Sequence, residues 1–383
     1  MNSKKKIAVL GGGISSLSSV FNLTNDPDWK TKYDITVYQL GWRLGGKCAS
    51  GRNQDVAQRI EEHGLHLWFG FYDNAFDMIQ TCYRENNRPP HMPLATWEKA
   101  FTGYDSISLQ ENVFGKWEDW TETIPPNKKT PGKSTGSKDI HDYILDLLNF
   151  FHEFHQRHAG HTVEKLKQEN SDGNPSSGEH LLKIKWVENM IPDTLNEAKE
   201  ILNHIRTGRA EHSDLMIRLH TIKGWLWKII EAFIESHTTL RRLWVMCDFT
   251  VTVIEGIIKD GVITKGFDVI NDLDFKEWLK KNGATSVTLN SALVQAVYGL
   301  VFGGKDQYTF EAGTALMGFL KMAFTFKGHI YYRMNAGMGD AVITPIYEVL
   351  LKRGVTFQFF RKVTRIIPSE DGHSIAEIHL DVQ

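Results

Sequence analysis

The sequence predicts an α/β fold interrupted by a mainly helical body, and three observations carry that expectation. A short apolar run, Ile7 to Leu10, breaks at three successive glycines; a helix-like stretch and a second β-branched run follow. Long segments of helical spacing fill the middle of the chain. Beyond residue 340 the signals alternate between helix and strand again.

Taken in order, Ile7–Leu10 reads as a buried strand. Apolar residues at 14, 17, 20, 21 and 23 give a helix, which Asn25-Asp26-Pro27-Asp28 stops. Ile35–Tyr38 is the second strand. Residues 41–56 are a Gly-rich loop, and the aromatic-rich spacing from His63 to Tyr83 reads as helical. Polar linkers are expected over 121–138 and 167–179, where Pro, Gly, Ser and Lys leave no core pattern. Ile140–His158 and Leu215–Ile258 are helical. Ala341–Lys352 is a helix closed by Gly354, Val355–Phe359 a strand, and Val363–Ile367 with Ile375–Leu380 a hairpin. The expected division is 1–115 and 331–383 for an α/β domain, with 116–330 as a helical insert.

Composition narrows the function. The chain has 383 residues, enough for two domains, and a formal net charge of −2. That balance, with no basic stripe, argues against a nucleic-acid partner. Three scattered cysteines form neither a disulfide framework nor a thiolate metal site, which suits a reducing compartment. The basic start lacks the apolar stretch of a secretory signal, and no run reaches the ~18 apolar residues of a membrane span. A cytoplasmic location is expected, with peripheral membrane contact left open.

Gly11-Gly12-Gly13-Ile14-Ser15-Ser16 joins the first strand to the first helix. In a dinucleotide fold the first glycine, Gly11, makes the tight bend. The second, Gly13, lets the backbone approach a pyrophosphate, and the third position packs helix on strand. The helix amino terminus, at Ile14 and Ser15, offers unpaired N–H groups to an anion. Ser16 stands where a third glycine is usual. Gln39 ends the second strand where an acidic residue normally meets a ribose; an amide can still bond there, without the charge.

Gly41-Trp42-Arg43-Leu44-Gly45-Gly46-Lys47 follows at once. A dinucleotide turn followed by Arg-x-Gly-Gly-Lys resembles the Rossmann-like FAD-binding domain of phytoene desaturases, hydroxysqualene-processing flavoenzymes and flavin amine oxidases. The resemblance implies FAD as cofactor, with Arg43, Gly45, Gly46 and Lys47 along its pyrophosphate and ribityl chain. Ile60-Glu61-Glu62-His63-Gly64-Leu65-His66 is similar to the family segment that runs beside the flavin ring, which implies Gly64 and His66. Arg333, Gly337-Met338-Gly339 and the later Val363-Thr364-Arg365-Ile366 resemble the returning segment, which implies Val363 against the adenine. The resemblance spans about residues 5–85 and 330–383. These families also carry a later Gly-Asp segment. Gly339-Asp340 precedes the returning strand and so is not that segment. The resemblance therefore implies a fragment, a split subunit or a degenerate site, completed by a missing segment or a second chain.

His152, His155, His158 and His161 recur every third residue, but no carboxylate set completes a metal site, and a solvated helix face is expected. The aromatics from Trp225 to Phe249 are read as core, or as a pocket for a long apolar substrate. The expected function is hydride removal by FAD from an apolar, isoprenoid- or lipid-like substrate. Alternatives are an amine or amino-acid oxidase, and a non-catalytic dinucleotide-binding scaffold; NADPH is a variant cofactor. No catalytic residue is named, and His66 and Arg333 are the polar groups to test.

Overall fold

The computed structural model describes residues 4–134, 136, 138–169, 176–302 and 308–383. In chain order the main elements are β1 (Lys5–Leu10), α1 (Ile14–Leu23), β2 (Tyr33–Tyr38), β3 (Gly51–Asn53), β4 (Arg59–Glu61), β5 (Trp68–Phe69), α2 (Asp73–Asn86) and β6 (Phe101–Tyr104). Then come β7 (Ser106–Val113), β8 (Lys116–Thr123), α3 (Ile140–Glu169), α4 (Ser176–Arg206), α5 (His212–Ile230) and α6 (Thr238–Lys259). After these follow α7 (Phe275–Lys281), α8 (Ala292–Phe302), α9 (Ala312–Phe324), β9 (Tyr331–Met334), α10 (Thr344–Arg353), β10 (Thr356–Gln358), β11 (Arg361–Pro368) and β12 (Ile375–Val382). The chain divides into two compact units, one of 1–105, 125–134 and 326–383, the other of 106–124 and 135–325.

The first unit is α/β. β2 lies between β1 and β10, all parallel, with Ile7 opposite Ile35 and Val9 opposite Val37. Ile35 and Val37 are fully buried, as β-branched residues in a central parallel strand should be. α1 turns Leu17, Val20 and Phe21 into the same core. Its carboxyl end is closed by Arg353, whose Nη1 donates to the Phe21 carbonyl and to Thr24 Oγ1, with the guanidinium 4.3 Å from the Phe21 ring. A cation here satisfies orphan carbonyls and opposes the helix dipole. α10 ends at Gly354, whose φ of +92° is the left-handed stop a glycine supplies. A second sheet, β5-β9-β6, is antiparallel, and β11 pairs with β12.

The second unit joins a two-stranded hairpin, β7–β8, to helices. α6 is buried on all sides from Leu243 to Ile257, so its polar residues need partners. Asp248 has them: Lys223 Nζ at 2.6 Å, the Thr285 N–H at 2.8 Å and Thr285 Oγ1 at 2.7 Å. The aromatics are core: Trp244 and Phe249 are fully buried, and Trp227 and Phe233 pack against them.

Several expectations need correction. The stretch from His63 is not helical until Asp73; a loop and β5 intervene. The first linker begins only after β8 ends at Thr123. Within 167–179, residues 167–169 and 176–179 are helical, and 170–175 lie outside the described residues. The histidines do not form a solvated face. His152 Nδ1 meets Lys199 Nζ at 2.9 Å, His158 meets Glu122, and His155 is 2% exposed. The His161 side chain lies outside the described ones.

Neither ring nitrogen of His155 has a hydrogen-bond partner among the described residues. Burial, reinforced by His152, pushes its imidazole down to about 4. The unfolded chain therefore takes up this proton first, and stability is lost as pH falls from about 6.5 toward 4, by about 3 kcal/mol. His155→Leu should melt higher than the parent at pH 7.5, because it removes two unsatisfied polar atoms. The gap should widen at pH 4.5, as thermal melts at the two pH values would show.

Candidate functional site

The site grows out of five glycines. Gly11 has φ of +94°, a bend that side-chain residues resist, and its N–H donates to the Tyr38 carbonyl at 2.8 Å. The Gly12 N–H donates to Gln39 Oε1 at 2.7 Å, and the Gly12 carbonyl accepts from the Gly45 N–H, also at 2.7 Å. Gly13 and Gly45 form a parallel bridge. The two glycine loops are thus joined main chain to main chain. Gly45 and Gly46 have φ of +107° and +59°. A Cβ on Gly45 would come within 3.0 Å of the Ala49 nitrogen and of Ile343.

Gly13 is the N-cap of α1 and no side chain caps the helix. A Cβ built on Gly13 meets nothing within 4 Å, so its outer side is open. An uncapped helix start beside bare backbone is what an anion needs. Ile14 packs against the α/β core, Ser15 is exposed, and Ser16 is half-buried on α1, where its small side chain fits.

An open cleft of about 470 Å³ lies here, lined by Gln39, Arg43, Gly46, Ala49, Gly51, Glu61, Glu62 and His63. That size suits a small-molecule site. Arg43 donates from Nη1 to the Ser50 carbonyl at 2.9 Å and lies 4.7 Å from the Trp42 ring. Lys47 is exposed.

The structure therefore brings Gln39, Arg43 and Gly46 together at the cleft, with Gly11, Gly13 and Gly45 joined through the backbone. Gly64 sits in an exposed loop, and Val363 is half-buried on β11 opposite Leu380; neither lines the cleft. His66 is half-buried and bonds Glu62 through Nδ1 at 2.8 Å. Arg333 is exposed on β9, 5.3 Å from the Tyr104 ring, and is no part of the cleft lining.

Three residues went unnoticed in the sequence. Ser50 Oγ donates to Glu62 Oε1 at 2.5 Å and accepts from the Gly339 N–H at 2.8 Å. The Met338 N–H also donates to Glu62 Oε1. Arg52 pairs with Asp340 at 2.5 Å, which accounts for the carboxylate of the Gly-Asp pair. Burial alone would raise the Glu62 carboxyl; hydrogen bonds from Ser50, His66 and the Met338 N–H outweigh it and hold the carboxyl below its ordinary value. Burial, then the nearby Glu62, pushes the Cys48 thiol up, so it is no ready thiolate.

Comparison with known proteins falls on the same segment. Residues 9–82 match the NAD(P)-binding Rossmann-like domain. The chain is also 29% identical over 84 residues to two proteins named zeta-carotene desaturase, chloroplastic/chromoplastic, from Solanum lycopersicum and Capsicum annuum. The alignment takes in 22% of this chain and 13% of each relative. These likenesses are those of a Rossmann-like domain at the amino terminus, and the alignment spans only a small part of each relative. No described helix is long and apolar enough to cross a membrane.

Gln39 is the side chain that tests the turn. Gln39→Leu strips the buried Gly12 N–H of its acceptor and should cost about 1–3 kcal/mol of stability. Gln39→Glu keeps an oxygen in place and should melt close to the parent. Denaturant titration of both variants checks the pair.

Proposed function

We propose that this chain is a flavin-dependent oxidoreductase whose first unit holds FAD. The observation that carries this is the uncapped start of α1 at an open-sided Gly13, bridged by backbone to Gly45. The residues present fit the group. The pyrophosphate would lie on the N–H groups that open α1, and Arg43 and Lys47 would add positive charge. Gln39 Oε1 accepts from the Gly12 N–H, so toward a ribose hydroxyl the side chain offers its amide N–H and one remaining lone pair. Bound FAD supplies the hydride acceptor. The protein orients it, and the ionised Glu62 holds His66 and the Met338–Gly339 turn in place beside the cleft.

The substrate we propose is an apolar one undergoing C–H dehydrogenation. Support for this class comes from the likeness to the zeta-carotene desaturases. The amine oxidase alternative differs in releasing hydrogen peroxide with amines, and peroxide assays separate the two. A peripheral membrane contact would suit an apolar substrate and is part of the same proposal.

The test is an absorbance titration of the chain with FAD, run beside two glycine variants. Gly13→Ala adds a methyl group into open space at an ordinary φ of −72°. It should melt within about 1 kcal/mol of the parent yet bind FAD at least tenfold more weakly, since the methyl stands where the pyrophosphate approaches. Gly12→Ala places its Cβ 2.2 Å from Leu44 and should lose stability as well. Unchanged FAD affinity in Gly13→Ala, or flavin uptake by neither parent nor variant, would refute the proposed site.

A further inference from the structure

Glu62 is an acceptor on both oxygens: Ser50 Oγ and the Met338 N–H reach Oε1, and His66 Nδ1 reaches Oε2. A backbone N–H can only donate. The Ser50 hydroxyl accepts from the Gly339 N–H and has its own hydrogen to donate to Oε1. A carboxylate so surrounded is ionised and has no proton to give, so Nδ1 must carry the hydrogen in its bond to Oε2. Neutral His66 is thereby fixed as the Nδ1–H tautomer. Nε2 keeps a bare lone pair and has no hydrogen-bond partner among the described residues. The His66 side chain is 18% exposed, and its partner Glu62 lines the cleft.

We infer that His66 Nε2 is a proton-accepting atom of the reaction, with Glu62 as its positioning residue. The inference rests on the proposed dehydrogenation. In such a step one C–H gives a hydride to a flavin-class acceptor. The neighbouring C–H gives its proton to Nε2, and the electron pair it leaves forms the new C=C bond. Atoms and charge balance: the acceptor gains two electrons and a hydrogen nucleus, and His66 becomes an imidazolium. Glu62 then faces that cation across the same hydrogen bond, which strengthens as charge develops. A carboxylate holding a histidine in one tautomer is a known way to ready the opposite nitrogen for a proton.

The test needs no cofactor. In the ¹⁵N-labelled whole chain at pH 8.5, with His66 assigned by comparison with His66→Gln, long-range proton–nitrogen spectra report which ring nitrogen is protonated. The Nδ1–H form is expected; an Nε2–H form, or an even mixture, overturns the inference. Diethyl pyrocarbonate, with modified peptides followed by mass spectrometry, then reports access to the lone pair. His66 should be acylated in the parent, and several-fold more slowly in Glu62→Gln. A His66 that only holds Glu62 in place would stay unmodified in the parent, which would also overturn the inference. Should Glu62→Gln fail to fold, the parent tautomer and its acylation decide the matter. Since both measurements use the chain without FAD, failure to take up flavin sinks the proposed function and leaves the dyad standing, and the reverse holds equally.

Discussion

Two glycine loops that follow the neighbouring strands β1 and β2 meet through peptide groups: Gly12 accepts from the Gly45 N–H, and Gly13 bridges Gly45. Everything in the first unit's site follows from that contact. It fixes the distance between the start of α1 and the second glycine loop, because a hydrogen bond has little tolerance in length. It also requires a bare Cα at Gly45, where φ is +107° and a Cβ would come within 3.0 Å of the Ala49 nitrogen. The cleft-lining residues Gln39, Arg43 and Ala49 then take their places from the strands and loops that this contact aligns.

Around this contact the first unit spends side chains on closing gaps between main-chain segments. Gln39 satisfies Gly12, Arg353 satisfies the end of α1, Tyr83 Oη donates to the Ala341 carbonyl, and Asn86 Nδ2 to the Pro345 carbonyl. Each ties a side-chain polar group to a main-chain group of another element. Ser50 and Glu62 do the same for the turn at Met338–Gly339, in a way that also sets the state of His66. The second unit follows another rule. Its central helix is wholly enclosed, and its buried charge is neutralised on the spot by Lys223 and Thr285. His155 departs from that rule.

The local part of the fold was legible from residues near one another in the chain. The break at Gly11–Gly13 and the spacing of Leu17, Val20 and Phe21 marked β1, α1 and their turn, and Gly354 marked the end of α10. β7 and β8 were missed because Gln110, Glu111 and Asn112 blur the alternation of Ile107, Leu109 and Val113. Leu67 to Tyr72 is an apolar run too short to choose between helix and strand, and pairing with β9 made it a strand. The histidines misled because a step of three drifts by about 60° around a helix, so 155 turns inward while 152 and 158 flank it. The glycine loops of the site were readable as motifs. The Ser50–Glu62–Met338 cluster was not, since it joins residues nearly 290 positions apart in the chain.

A contact made by main-chain atoms leaves a faint trace in the alphabet of side chains. Between the glycines, Leu40 and Trp42 point into solvent and carry no part of the joint. Side chains at such positions can be exchanged without altering that peptide geometry. Percentage identity counts every letter alike and gives no extra weight to the few glycines that set it. An identity of 29% is compatible with a shared turn whose few indispensable letters are mostly G.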